Sequence, residues 1–135
     1  MLYIIITIIA WGLWTIFDKK GVENLHPLQA QLWGYLVATL NIPVYLTMVK
    51  SSGLSVKVDW KSFGWLAAAM VMSSVASFAL LSALKQRDAT EVIGYTSVYP
   101  IVTMVLGVIF LGEALTVNRA FGILLAVAGV YVLSR

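Results

Sequence analysis

The 135-residue chain contains no cysteine. That excludes disulfides, thiol chemistry and any cysteine-ligated metal. It has a single histidine, His26, set beside Pro27 in a short polar stretch. No Ser-His-Asp or Cys-His set can be assembled, and no group of side chains has metal-ligand spacing. No glycine-rich phosphate loop is present. The sequence therefore reads as that of a non-enzyme with no metal and no cofactor. Charge is scarce too. Only 11% of residues are charged, against about 25% in a typical soluble domain. The nine basic residues are Lys19, Lys20, Lys50, Lys57, Lys61, Lys85, Arg87, Arg119 and Arg135. They are scattered rather than gathered in a stripe, which argues against a nucleic-acid partner.

Apolar residues take the place of charge, at 61% of the chain, where about 45–50% is usual. A globule of this length has too much surface to hide that excess. Lipid is the alternative solvent. A helix needs about 20 mostly apolar residues to cross it, and five stretches qualify: residues 2–22, 28–49, 62–84, 92–111 and 117–133. The expected fold is an all-α integral membrane protein with five transmembrane helices in one domain over residues 1–135. The lipid bilayer is its first partner. "MLYIIITIIAW" lacks a positive leader and a small-residue cleavage site, so it reads as a retained span rather than a signal peptide. Pro27 suits a helix start. Thr90 and Thr116 are expected as N-caps, and Gly112 as a helix end. Pro43 and Pro100 fall inside apolar spans, which membrane helices tolerate when neighbours satisfy the freed carbonyls.

Five spans put the termini on opposite faces. One face then carries Lys50, Lys57, Lys61 and Arg119; the other carries Lys19, Lys20, Lys85, Arg87 and Arg135. Orientation follows an imbalance of basic residues, and here there is almost none. Two readings fit. Copies insert both ways up and pair antiparallel, or a few residues or a partner protein fix one orientation.

Helical projection at about 100° per residue places Tyr3, Thr7, Trp11, Trp14 and Asp18 on one face of the first span. Tryptophans that anchor a span to headgroups sit near its ends. Trp11 and Trp14 sit near the middle instead, so their face points into the protein. Lys19 follows Asp18 near the helix end. It either snorkels to the interface or, with Asp18, meets a charged group at a cavity mouth. On the fourth span Glu91, Tyr95, Tyr99 and Thr103 share a face, with Thr96 at its edge and Pro100 opening the backbone. These two polar-aromatic faces are expected to line one cavity, with Thr7, Trp11, Trp14, Asp18, Lys19, Tyr95, Thr96, Tyr99 and Thr103 as substrate-binding residues. Helix–helix hydrogen bonding is the competing use of the same side chains.

Gln31, Tyr35 and Thr39 give the second span a milder polar face. Met70, Ser73, Ser74 and Ser77 on the third read as close packing, as do Gly122, Ala126 and Gly129 on the fifth. Asp18, Glu91 and Glu113 all lie near span ends. A mid-depth acid is the usual device for carrying cations, so a strict proton-coupled cation exporter is disfavoured unless Asp18 or Glu91 lies deeper.

"AWGLWTIFDKKG", "HPLQAQLWGYLVATL" and "TSVYPIVTMVLGVIFLGEALTVNRAFGILLAVAGVYVL" together resemble the EamA half-unit of the drug/metabolite transporter superfamily. The resemblance is sharpest in the last third, with its tyrosine-proline, its Leu-Gly-Glu and its final "AGVYVL". Members usually carry two five-helix halves in inverted orientation, ten helices in all, whereas this sequence carries one half. It looks like the single-domain members, which pair as antiparallel dimers. The resemblance implies a carrier of a small metabolite or drug-like solute, working by alternating access about a mid-membrane site. It also implies a multi-pass protein of the cell membrane, of the prokaryotic inner-membrane kind. A hetero-dimer with a sister half-unit would share the fold. The rival reading is a non-transporting membrane subunit that supports an enzyme or lipid-intermediate complex.

Overall fold

A computed structural model describes residues 1–57 and 59–133; Arg135, counted in the charge balance, lies outside them. Among the described residues the regular structure is all helical. The helices are α1 (Leu2–Val22), α2 (Pro27–Ala38), α3 (Asn41–Ser51), α4 (Trp60–Gln86), α5 (Ala89–Thr96), α6 (Tyr99–Leu111) and α7 (Val117–Leu133). The pairs α2–α3 and α5–α6 each form one interrupted rod. Four apolar rods result, of 21, 25, 27 and 23 residues. At about 1.5 Å per residue each reaches the roughly 30 Å of a hydrocarbon core. The 17 residues of α7 stand at the lower end of the spanning range, about 17–25 residues.

The interruptions follow from proline. Pro43 has no N–H to give, and its ring crowds the carbonyl four residues back, that of Thr39. The chain tightens there: Leu40 N–H donates to the Val37 carbonyl (3.0 Å) and Ile42 N–H to the Thr39 carbonyl (3.1 Å). Pro100 does the same to Thr96. Val98 N–H turns to the Tyr95 carbonyl (3.4 Å) and Ile101 N–H to that of Val98 (3.0 Å).

Helix ends are set by local chemistry. His26 closes a capping box ahead of Pro27: its Nδ1 accepts from Leu28 N–H (3.2 Å), and Gln29 Oε1 accepts from His26 N–H (3.1 Å). Asp59 accepts from the backbone N–H groups of Lys61 (2.8 Å) and Ser62 (3.1 Å) at the start of α4. Thr116 Oγ1 accepts from Arg119 N–H (3.3 Å). Gly112 ends α6 with φ +64°, and its N–H and that of Glu113 both return to the Gly107 carbonyl. A left-handed residue at a helix end favours glycine, which has no Cβ to clash. The expectation for Thr90 differs from the structure. The fourth rod starts earlier than 92, and Asp88, with extended backbone at ψ 142°, is its N-cap. Thr90 already lies in the first turn, because charged Asp88 and Glu91 do not stop a helix that can place them at its N-terminus.

The chain divides into two compact units, residues 1–86 and 87–135. In the first, α4 packs against both α1 and α2. Its dry core is small and lies at one end: Val22, Leu81 and Leu84 are buried. Two lysines tie that end together. Lys19 Nζ donates to the Leu84 carbonyl (2.7 Å) near the end of α4. Lys85 Nζ donates to the Val22 (2.7 Å) and Glu23 (2.8 Å) carbonyls at the end of α1. Each helix thus supplies the cation that caps the other's last carbonyls, whose dipole favours positive charge. In the second unit α5 packs against α7, and Val92 and Gly94 are buried.

Little else is covered. Ile4, Ile5, Ile6, Ile8 and Ile9 are each at least half exposed. Soluble proteins rarely expose apolar surface on that scale, and hydrocarbon is the medium that covers it without cost.

Candidate functional site

The first unit holds a cleft of about 270 Å³ between α1, α2 and α4. Its walls come in matched register. Asp18 and Trp14 lie four and eight residues before the end of α1. Gln31 and Tyr35 lie four and eight residues after the start of α2, which runs the opposite way. Ser77 and Ser73 follow along α4. Ala30, Gly34 and Ala38 also line the cleft. Spaced by four on one face of α2, they remove the bulk that would otherwise fill it.

The polar groups here are oriented by one another. Gln31 Nε2 donates to the Ser74 carbonyl (3.3 Å), and Tyr35 donates its hydroxyl to Ser74 Oγ (2.6 Å). Ser74 in turn donates to the Met70 carbonyl (2.8 Å). Asp18 follows Trp14 by one turn of α1, and both side chains line the cleft.

The second unit holds an open groove of about 810 Å³ between α6 and α7, with Tyr99, Thr103, Glu113 and Arg119 on its walls. Arg119 Nη1 donates to the Ala114 carbonyl (3.2 Å) and reaches Glu113 Oε2 at 3.5 Å. The Glu113 carboxyl folds back over Gly107, whose missing side chain leaves room for it.

The residues expected from the sequence are therefore placed as follows. Trp14 and Asp18 line the first cleft, and Tyr99 and Thr103 the second groove. Thr7, Trp11, Lys19, Tyr95 and Thr96 are not among the lining residues of either. Thr7 hydroxyl bonds back to the Tyr3 carbonyl (2.8 Å), and Thr96 hydroxyl to that of Val92 (3.0 Å). Lys19 joins the tie to Leu84 described above. Trp11 and Tyr95 are roughly half exposed. Gln31 and Tyr35 were read as part of a milder polar face, and Ser73 and Ser77 as close-packing residues, not as lining a cleft. Their spacing by four was visible, but not which helix they would meet.

Apolar rods of membrane-crossing length, with polar clefts cut into otherwise oily faces, define a multi-pass membrane protein. The EamA-like transporter family matches this chain over residues 1–135, its whole length, and the chain belongs to that family. No curated protein and no solved structure gives a match. Family membership makes the protein a membrane transporter of the drug/metabolite type.

Proposed function

We propose that the protein carries a small polar solute across the cell membrane of a prokaryote by alternating access, as an antiparallel homodimer or paired with a sister half-unit. The observation that carries this reading is the α1–α2–α4 cleft. Carboxylate, amide, hydroxyl and indole groups face a common space from three helices, in a bundle whose outer faces are hydrocarbon-like. Bare polar groups are costly in lipid, and a solute's own polar groups offset that cost. The reading also calls for a second half-unit. Half-units related by inversion place their sites at mid-membrane, where the two halves rock about the solute. The near-even split of basic residues is compatible with insertion both ways up.

In this reading Trp14, Asp18, Tyr99 and Thr103 contact the solute in the two clefts. Thr7, Trp11, Lys19, Tyr95 and Thr96 are further substrate-binding candidates, each within its own unit. The test is flux in sealed vesicles. Trp14→Ala and Tyr99→Ala are each expected to slow transport about tenfold, the size of one lost aromatic contact of about 1.4 kcal/mol. Unchanged flux in both variants would sink this assignment of the site.

A further inference from the structure

We infer that the α1–α2–α4 cleft receives a compact primary ammonium, the protonated amine of a small organic molecule. The inference rests on the reading of this cleft as a solute site and names the chemistry it selects.

The charge lining the cleft is of one sign. Asp18 is the sole acid among the lining residues, and no lysine, arginine or histidine stands among them. The neighbouring Lys19 sends its ammonium to the Leu84 carbonyl instead. The ion pairs found among the described residues are Lys20–Glu23, Arg87–Glu91 and Arg119–Glu113, and none involves Asp18.

Two of the cleft's polar side chains are already held by α4. The Tyr35 hydroxyl and a Gln31 amide N–H both go to Ser74. The groups that face a guest are the carboxylate oxygens and Gln31 Oε1, which only accept, and the Ser73 and Ser77 hydroxyls, which accept as well as donate. Gln and carboxylate oxygens have lone pairs to spare after one bond each. A group with three N–H donors and one positive charge complements that set. An anion would meet the Asp18 charge, and a neutral ether or ketone would leave that charge without a counter-ion. Trp14 and Tyr35 add ring faces, which attract cations further.

Size narrows the class. About 270 Å³ lies just under the roughly 300–1,000 Å³ of pockets for drug-sized ligands, so the group that enters is small. Gly34 provides an independent handle. A Cβ added there meets nothing within 4 Å, so a larger side chain at 34 occupies open space beside the cleft without displacing backbone.

The test uses the full chain in detergent and three isosteric probes: n-propylammonium, propionate and n-propanol. Calorimetric titration is expected to show propylammonium binding at least about tenfold tighter than either of the others. Asp18→Asn is expected to weaken it by at least about tenfold, because a charge partner is lost, and Asp18→Glu to restore most of it. Gly34→Leu should abolish binding with the helical circular dichroism unchanged. Equal binding of the three probes, no binding of propylammonium, or indifference to both Asp18→Asn and Gly34→Leu overturns the inference. Flux separates this from the transport reading. Binding that depends on Asp18 with no flux of any probe upholds the inference and defeats the carrier. Flux of propionate above that of protein-free vesicles, unaffected by Asp18→Asn, does the reverse.

Discussion

Asp59 is a side chain whose ionisation shapes a helix end. The Ser62 hydroxyl bond, followed by the Ser62 and Lys61 backbone bonds, holds its carboxyl below the usual aspartate range. A lowered folded value means the carboxylate form is favoured by folding. Its contribution is therefore fully present above the ordinary aspartate value and is lost as pH falls through the folded value. Amide exchange at Lys61 and Ser62, taken relative to the intrinsic rate at each pH, should accelerate in that acidic window, and Asp59→Asn should flatten the dependence. Equal acceleration in Asp59→Asn would show that the carboxylate is not its cause. Residue-level features of this kind were unevenly legible. Gly112 and Thr116 announce their helix ends, because a left-handed terminus and a hydroxyl cap depend on neighbours in sequence. His26 did not announce its cap, since histidine is an uncommon choice and the bond needs Gln29 three residues on. Asp18 looked like an end-of-helix charge. Nothing in α1 alone reveals that α2 and α4 leave a space against it.

At the scale of helices, the reciprocal lysines of α1 and α4 are the most specific tie in the first unit. Hydrogen bonds to a charged group are worth about 1.5–3 kcal/mol when well buried. Partial exposure here lowers that to about 1 kcal/mol for each lysine. Lys19→Met and Lys85→Met should each lower stability in detergent by about that much. Both act on the same pair of helix ends, so the double variant should depart from additivity by about 0.5 kcal/mol or more. Strict additivity in a denaturant titration would show the two ties to be independent. The helices themselves could be read from the sequence within about three residues, because length and oiliness suffice to define a membrane span. Their internal breaks were less visible. Proline marked a weakened bond, but the full turns at Thr39–Leu40 and Ser97–Val98 depend on how the chain redistributes its N–H donors. Which polar faces meet depends on packing partners distant in sequence, so Gln31 and Ser74 could be seen as stripes and not as a pair.

For the whole molecule, orientation in the bilayer is the property that separates a self-pairing carrier from an accessory subunit. The basic residues divide four to five between the faces expected from five spans. A reporter fused after Arg135 should give signal on both sides of the membrane if copies insert both ways. Signal on one side, with another protein always co-purifying, would instead favour the accessory subunit. Adding two lysines to a single loop should then bias the population to one side, because orientation follows the difference and not the total.

The proline breaks have a mechanical consequence. The second rod is interrupted at its midpoint and the fourth near its own, so each is two stiff levers joined at a pivot rather than one beam. Bending of such a rod concentrates where its hydrogen-bond ladder is interrupted. Each half of such a rod can then tilt without unwinding the other.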